Sequence, residues 1–293
     1  MPMRVIDASK IGEAIESLCL DISTTLGDDV KSALEFFRSG ERSELGRRVI
    51  DLIIENARVA LEKGVPLCQD TGVFSVYVTV GAETLIKGDI EAIAASAVAR
   101  ATKRGALRSS IVNNPLDERD NTKDNTPAIV DVTISNDEKS TVGVLAKGGG
   151  CENASRIAML SPGAGWKGVR EFVLETISEV GAGSCPPLAL GLGIGGSFDR
   201  APALAKRALL LPLNSSSTSQ SGQREKLSPA EGVAMREAEL VEAVNCLGIG
   251  PGALGGTTTC IGARILSAPC HMACLPVALS VNCHSLRRKV IEI

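Results

Sequence analysis

Residues 185–196 read Cys-Pro-Pro-Leu-Ala-Leu-Gly-Leu-Gly-Ile-Gly-Gly and lie inside an uncharged stretch that runs from Val180 to Phe198. The stretch is long enough to test as a membrane span, but it carries six glycines and two prolines. A spanning helix needs about 20 consecutive, predominantly apolar residues. A second uncharged stretch, Ile265–Leu286, contains two prolines, three cysteines and both histidines of the chain. Both stretches therefore predict buried strands and turns of a soluble protein, with no membrane association.

The composition excludes a nucleic-acid binder. The 293 residues include 31 basic and 34 acidic side chains, for a net charge of −3, and the basic residues are scattered. A nucleic-acid surface needs clustered positive charge, and single-stranded binding needs aromatic platforms. Only five Phe, one Tyr and one Trp occur. Charged residues precede any apolar run at the N-terminus, which argues against a secretory signal and predicts a cytoplasmic protein.

Periodicity predicts a mixed α and β fold in one domain, residues 1–293, without internal repeats. Apolar spacing of three and four residues predicts helices at Ser9–Leu20, Ser43–Lys63, Ile90–Arg104 (capped by Asp89), Trp166–Val180 and Phe198–Leu211. Alternating, β-branched segments predict strands at Phe74–Val80, Ala128–Ile134 and Thr141–Ala146. We expect the last two strands to pair across a polar turn. The polar segment Asn214–Gly222 predicts an exposed loop.

Nine cysteines are unusual for such a chain. Their odd number and the expected cytoplasmic location argue against a disulfide framework. No Cys-x-x-Cys pair occurs and there are two histidines, which argues against a zinc ribbon or finger. We interpret the cysteines partly as small core residues and partly as ligands of a soft metal centre.

Three cysteines stand where regular elements begin or end. Cys68 lies between a predicted helix and a strand, Cys185 enters the glycine-rich segment, and Cys283 follows a predicted buried strand. Three separated thiolates can hold three irons of a four-iron cluster and leave the fourth iron open to substrate. The spacing alone favours the alternative, three buried, small apolar residues.

Five ordered sequence blocks carry a family resemblance. They are Cys68-Gln-Asp-Thr-Gly72; Leu107-Arg-Ser-Ser-Ile-Val-Asn-Asn-Pro115 with Asn121-Thr-Lys-Asp-Asn-Thr-Pro127; Lys147-Gly-Gly-Gly-Cys-Glu-Asn153; Cys185-Pro-Pro-Leu-Ala-Leu-Gly-Leu-Gly-Ile-Gly-Gly196; and Ala268-Pro-Cys-His-Met-Ala-Cys-Leu-Pro-Val277, continuing to Asn282-Cys-His284. In this order they resemble the iron–sulfur class I fumarate hydratases and the similar L-tartrate dehydratases. The resemblance covers the chain from about Ser43 to Ile293 and implies an α/β fold with helices packed around mixed β-sheets.

The resemblance also implies the site residues. Cluster ligands are Cys68, Cys185 and Cys283, although Cys270 and Cys274 are rivals for the last position. Catalytic residues are Asp70, Arg108 and His271, and the substrate-binding set adds Gln69, Gly149 and Gly150. The family usually has serine where this chain has Cys151, which we do not count as a ligand.

The implied activity is reversible hydration of fumarate to L-malate, in which a 4Fe-4S cluster acts as a Lewis acid. Dehydration of L-tartrate is the alternative. Single-chain members continue into a further domain that carries the catalytic base, so this chain resembles the α subunit of a two-chain enzyme. The resemblance implies a β-subunit partner and an α₂β₂ assembly formed through an α–α dimer.

Two other classes of function compete with the hydro-lyase. Gly191-Leu-Gly-Ile-Gly-Gly196 fits the Gly-x-Gly-x-x-Gly pattern of an NAD-dependent oxidoreductase. That fingerprint expects an acidic residue about 20 positions later, where this chain has its Ser/Thr/Gln-rich segment. The third class is a non-catalytic scaffold or cluster carrier.

Overall fold

The computed structural model describes residues 3–213 and 229–293. The predicted loop at Asn214–Gly222 lies outside the described residues. Helices are α1 (Ala8–Thr24), α2 (Asp28–Gly40), α3 (Glu44–Lys63), α4 (Ile90–Arg104), α5 (Gly149–Asn153), α6 (Gly165–Val180), α7 (Arg200–Ala208) and α8 (Pro229–Asn245). Strands are β1 (Arg4–Asp7), β2 (Val73–Val80), β3 (Thr84–Lys87), β4 (Ile129–Ile134), β5 (Thr141–Lys147), β6 (Arg156–Leu160), β7 (Leu188–Gly195), β8 (Cys260–Ala268), β9 (Leu275–Asn282) and β10 (Arg287–Glu292). The mixed α/β class is thereby confirmed.

The chain divides into two compact units. The first unit contains the residues up to Gly27, Asn56–Gly149 and Leu286–Ile293. The second contains Asp28–Glu55 and Gly150–Ser285. That residues 1–293 act as one catalytic domain stays a prediction.

The first unit is built on a four-stranded sheet in the order β10-β5-β2-β4. Strand β2 pairs in parallel with β4 and antiparallel with β5, so the predicted direct pairing of β4 with β5 is wrong. Strand β2 has a nearly continuous buried run, whereas β4 is largely exposed. The more apolar strand therefore takes the centre and the more polar strand takes the edge.

Helices α1 and α4 close the core of the first unit. Their aliphatic faces, including Ile11, Ile15 and Val98, are buried with Val76 of β2. The predicted cap of α4 is confirmed, since the Asp89 carboxylate accepts the backbone N–H of Ala92 at 3.0 Å. Such a cap satisfies one of the amide groups that a helix start leaves without a partner.

The second unit is built on a sheet in the order β6-β9-β7-β8. Side chains of a strand alternate between its two faces. Leu190 and Leu192 of β7 accordingly lie in a core with residues of α6 and α8. On the alternate positions, a Cβ added to Gly191 would lie 2.2 Å from the Ala205 carbonyl oxygen of α7, and one added to Gly193 would lie 2.0 Å from that of Ala201.

This packing gives the glycine motif a structural role. Gly196 follows β7, but Gly191 and Gly193 lie within the strand, where they let a helix backbone approach closely. A dinucleotide fingerprint instead places them in the turn that opens a helix. The structure thus removes the observation that favoured an NAD-dependent oxidoreductase. Across residues 3–213 and 229–293, no helix combines the length and apolarity that crossing a membrane requires.

Candidate active site

The Asp70 carboxylate joins three segments of the first unit. One carboxylate oxygen, Oδ1, accepts the N–H of Gly72 at 2.9 Å and the hydroxyl of Ser110 at 3.3 Å. The other, Oδ2, accepts the N–H of Gly149 at 2.9 Å. Hydrogen bonds from backbone amides to a carboxylate are strong and directional. The structure therefore brings Asp70 and Gly149, two of the predicted site residues, into direct contact.

Glycines allow the backbone to approach this carboxylate closely. Gly72 has a φ of +75°, and a Cβ there would lie 2.2 Å from the carbonyl oxygen of Lys147. A Cβ on Gly148 would lie 2.9 Å from Asp70 Oδ2. The antiparallel pairing of Val73 with Lys147 sets this approach. A side chain at either glycine would separate the Asp70 carboxylate from residues 148–150.

Arg108 lies in the loop after α4, with its side chain exposed. The backbone beneath it is held by Asn125, which is 1% exposed. The carboxamide Nδ2 donates to the carbonyl oxygen of Arg108 at 3.0 Å and to Thr102 Oγ1 at 3.2 Å. The carboxamide Oδ1 accepts the N–H of Ser110 at 2.6 Å. One buried side chain thereby orients the loop that carries both Arg108 and Ser110.

The family resemblance covers the sequence block that contains Asn125 but implies no role for Asn125 or Ser110. Asn125 has a φ of +62°, a left-handed conformation that asparagine tolerates better than most residues. Its position in a polar turn between two predicted elements was the available signal. That signal indicates a turn, however, and does not reveal which backbone groups the side chain holds.

Gln69 and His271 are both exposed. Gln69 directly precedes Asp70 in the first unit, whereas His271 lies between β8 and β9 in the second. The Nδ1 atom of His271 accepts the N–H of Ala273 at 3.1 Å. In the neutral ring this leaves Nε2 as the proton-bearing nitrogen. His271 is therefore a hydrogen-bond donor through Nε2.

Two of the three predicted ligand segments come together in the second unit. Cys185 is exposed and left-handed, with a φ of 54°, and Cys283 is half-buried directly after β9. The Nδ1 atom of His284 donates to the carbonyl oxygen of Cys185 at 3.0 Å, which ties the two segments. Cys68, the third predicted ligand, is half-buried in the first unit.

Gly150 lies against the turn that precedes Cys185. A Cβ on Gly150 would lie 3.1 Å from the carbonyl oxygen of Gly183. The Ser184 hydroxyl donates to the Gly150 carbonyl oxygen at 3.5 Å, and Cys151 Sγ lies 4.0 Å from the Ser184 carbonyl oxygen. The start of α5 therefore packs on this turn, and Cys151 is a buried part of that packing.

The cysteines fall into two chemical groups. Burial raises the pKa of the Cys19 thiol far above its ordinary value and that of Cys260 to about 12, so both are core thiols that resist ionisation. The candidate ligands Cys68, Cys185 and Cys283 retain exposure, as do Cys246 and the rival candidates Cys270 and Cys274. Within residues 3–213 and 229–293, no three His, Cys, Asp or Glu side chains are gathered to hold a metal ion. The ligand chemistry fits a cluster, while convergence of the three sulfurs stays a prediction.

Comparison with known proteins supplies a family. The fumarate hydratase (Fumerase) model matches residues 12–292. The chain is 38% identical over 292 residues to "Putative L(+)-tartrate dehydratase subunit alpha" of Methanocaldococcus jannaschii, covering 97% of this chain and 98% of that protein. It is 32% identical over 282 residues to L(+)-tartrate dehydratase subunit alpha of Escherichia coli (strain K12), covering 96% and 89%. The matches span nearly all of both units. The chain therefore belongs to the fumarate hydratase (Fumerase) family of iron–sulfur class I hydro-lyases.

Proposed function

We propose that this chain is the α subunit of an iron–sulfur L(+)-tartrate dehydratase. The names of near full-length relatives at 38% and 32% identity carry this proposal. It corrects the sequence-based preference for hydration of fumarate, because the relatives support the tartrate alternative better. L-malate, the hydration product of fumarate, and L(+)-tartrate are both dicarboxylates with a hydroxyl beside a carboxylate, so the same donor groups suit either one.

In this proposal Cys68, Cys185 and Cys283 hold a 4Fe-4S cluster. When bound, the cluster supplies a Lewis acid that takes substrate oxygen and improves hydroxide as a leaving group. A half-buried or exposed thiol ionises more readily than the buried thiols of Cys19 and Cys260. This difference in burial argues against Cys19 and Cys260 as ligands, and the family resemblance makes the choice among the more exposed cysteines.

The chain's own side chains orient the dicarboxylate. Arg108 offers a planar, two-pronged donor to one carboxylate, and Gln69 adds amide donors. Because Gly149 and Gly150 lack side chains, substrate can approach their backbone closely. His271 donates through Nε2–H to a substrate oxygen. Such fixed donors keep the reacting carbon–hydrogen bond in one orientation.

Asp70 accepts hydrogen bonds and keeps its orientation through the reaction. The N–H groups of Gly72 and Gly149 hold opposite oxygens of its carboxylate, so the remaining lone pairs face fixed directions. We assign it the substrate hydroxyl as hydrogen-bond partner. A fixed hydroxyl holds the substrate in one orientation, with the carboxylate that stabilises negative charge next to the reacting carbon. This orientation favours loss of water.

In the net reaction tartrate loses the hydrogen beside one carboxylate and the hydroxyl of the neighbouring carbon. Water forms, and the resulting enol becomes a 2-oxo dicarboxylate. We place the catalytic base on a β subunit. The relatives' names as α subunits support that partner. An α₂β₂ assembly through an α–α dimer and a cytoplasmic location complete the proposal.

The decisive experiment uses the chain co-produced with its β subunit and reconstituted anaerobically with iron and sulfide. We expect turnover of L(+)-tartrate with a higher kcat/KM than for L-malate or fumarate. Arg108→Lys should raise KM for tartrate about tenfold, because lysine lacks the two-pronged geometry. Arg58→Ala, which removes an exposed arginine paired with Glu62, is the matched control. Preference for malate or fumarate overturns the tartrate assignment, and a cluster-loaded complex without dehydratase activity overturns the function.

A further inference from the structure

Asn282 is the last residue of β9 and directly precedes Cys283. It is 2% exposed. Its Oδ1 accepts the backbone N–H of Cys283 at 2.9 Å. Its Nδ2 group is buried and has no hydrogen-bond partner among the described residues. The side chain thus has one satisfied end and one unsatisfied donor end.

The orientation of this carboxamide is determined by its neighbour. The backbone N–H of Cys283 requires an acceptor, so the atom facing it is the oxygen, and the NH₂ group is the end without a partner. A buried donor left unpaired costs about 1–3 kcal/mol. Buried polar groups in folded proteins are otherwise almost always satisfied. The Nδ2 group is therefore open to an acceptor that the described residues do not supply.

The residues on either side of Cys283, Asn282 and His284, both lie near the segment that contains Cys185. Asn282 is in register with Ala189, near the start of β7, and His284 donates to the carbonyl oxygen of Cys185. Asn282 therefore lies at the end of the sheet where Cys185 and Cys283 both emerge. Ser75 also has a buried hydroxyl without a partner, but it lies inside β2 with no cysteine beside it.

We propose that Asn282 is a positioning residue whose Nδ2 donates a hydrogen bond to sulfur of the bound cluster, either the Cys283 thiolate or a cluster sulfide. This inference rests on the proposed role of Cys283 as a ligand. Hydrogen bonds to sulfur spread the negative charge of a cluster and raise its reduction potential. Groups that support metal ligands from outside also hold the metal in place. Asn282 therefore sets both the potential and the retention of the cluster.

Two variants separate the donor from other effects of the side chain. Asn282→Asp keeps an acceptor for the Cys283 N–H but loses the donor and adds an ionisable group. Asn282→Leu has similar size, carries no charge and also loses the donor. In the reconstituted αβ complex, we expect both variants to show a more negative cluster reduction potential. We also expect both to lose iron to a chelator roughly tenfold faster than wild type. Ser75→Ala, which removes a comparable buried and unpartnered hydroxyl, should match wild type in both measurements.

The outcomes are distinguishable. A wild-type potential in Asn282→Leu overturns the inference, even if Asn282→Asp shifts, because the shift then comes from charge alone. Should the leucine variant fail to fold, unchanged iron release in the aspartate variant overturns it. Cys283→Ser tests the underlying ligand assignment. If that variant takes up a full complement of iron with a wild-type spectrum, the proposed ligand set fails, whatever Asn282 does.

Discussion

The carboxamide of Asn125 donates to the carbonyl oxygen of Arg108 at 3.0 Å, from a position that is 1% exposed. A buried group therefore controls the backbone of an exposed arginine. Long exposed side chains lose considerable rotamer entropy when they are held on a substrate. Because the Arg108 backbone is already fixed, substrate binding does not also have to order the loop that carries this side chain.

Asn125→Asp should weaken substrate binding and stability together. The variant retains an acceptor for the Ser110 N–H but loses the donors to Arg108 and Thr102. Unsatisfied buried groups at this position should lower the free energy of unfolding by about 1–3 kcal/mol. We expect KM for tartrate to rise while kcat changes less, as measured by steady-state kinetics beside urea denaturation. Asn114→Asp, in an exposed turn, is the control, and an unchanged KM in Asn125→Asp would contradict the positioning role.

Asp70→Asn should abolish most activity with the cluster intact. The new NH₂ group would face a backbone N–H of Gly72 or Gly149, so one favourable hydrogen bond becomes a donor–donor contact. We expect kcat to fall about 100-fold, the loss that removal of one oriented polar group at a reacting centre produces. Iron content and the visible spectrum should match wild type. Ser110→Ala removes only the 3.3 Å contact to the same carboxylate and should show a smaller loss. Near-wild-type turnover in Asp70→Asn would exclude Asp70 from the site.

Glu41 links two distant segments of the second unit. Its carboxylate is 2% exposed and accepts the N–H groups of Ser43, Thr257 and Thr258 at 2.8, 2.9 and 2.7 Å. Burial of the carboxyl raises its pKa, but the amide groups that donate to it outweigh burial. The net result is a pKa of about 2, below the ordinary value of 4.5.

This pKa shift predicts a specific pH dependence. Because folding lowers the pKa, the ionised Glu41 stabilises the protein fully above about pH 4.5, and this contribution is lost as the pH falls towards 2. Glu41→Gln should lower the free energy of unfolding by roughly 3 kcal/mol at pH 7, and the difference from wild type should close over that acidic interval. Denaturant titrations from pH 2 to 7 measure both curves. Glu62→Gln, on an exposed face, serves as control, and a gap that stays constant with pH would refute the assignment.

The packing of β7 on α7 should not tolerate a methyl group. Gly193→Ala places a Cβ 2.0 Å from the Ala201 carbonyl oxygen, so strand or helix must move. We expect a loss of about 1–3 kcal/mol or more in the free energy of unfolding. Gly232→Ala in α8, where a Cβ meets nothing within 4 Å among residues 3–213 and 229–293, should instead stabilise by up to about 1 kcal/mol. Equal thermal stability of the two variants would show that close packing does not explain the glycines.

Sequence patterns predicted those elements whose information is local. The apolar spacing that predicts Ser9–Leu20 and Ile90–Arg104 matches α1 and α4, because a helix repeats its buried face within a few residues. Helix α7 is shorter than the predicted Phe198–Leu211. The order of the strands is not local, and nothing in the segments of β4 and β5 shows that β2 separates them. A strand's sequence indicates its burial but not its neighbour.

The candidate site shows the same limit. Asp70 and Gly149 were proposed through family resemblance, and their hydrogen bond joins residues that no periodic pattern relates. The role of Asn125 could not be predicted because two of its three hydrogen bonds are to backbone atoms, which any residue in the loop would present. The glycines of β7 were ambiguous because phosphate binding and close packing both require the absence of a side chain.

The order in which the two units use the chain has a consequence for biosynthesis. Strand β10 lies beside β5 at the edge of the first sheet and pairs with it through Arg287–Glu292. A ribosome therefore synthesises the whole of the second unit before this sheet receives its fourth strand. We therefore expect the sheet that supports the Asp70 and Gly149 segments to be completed only after Cys283 has been synthesised.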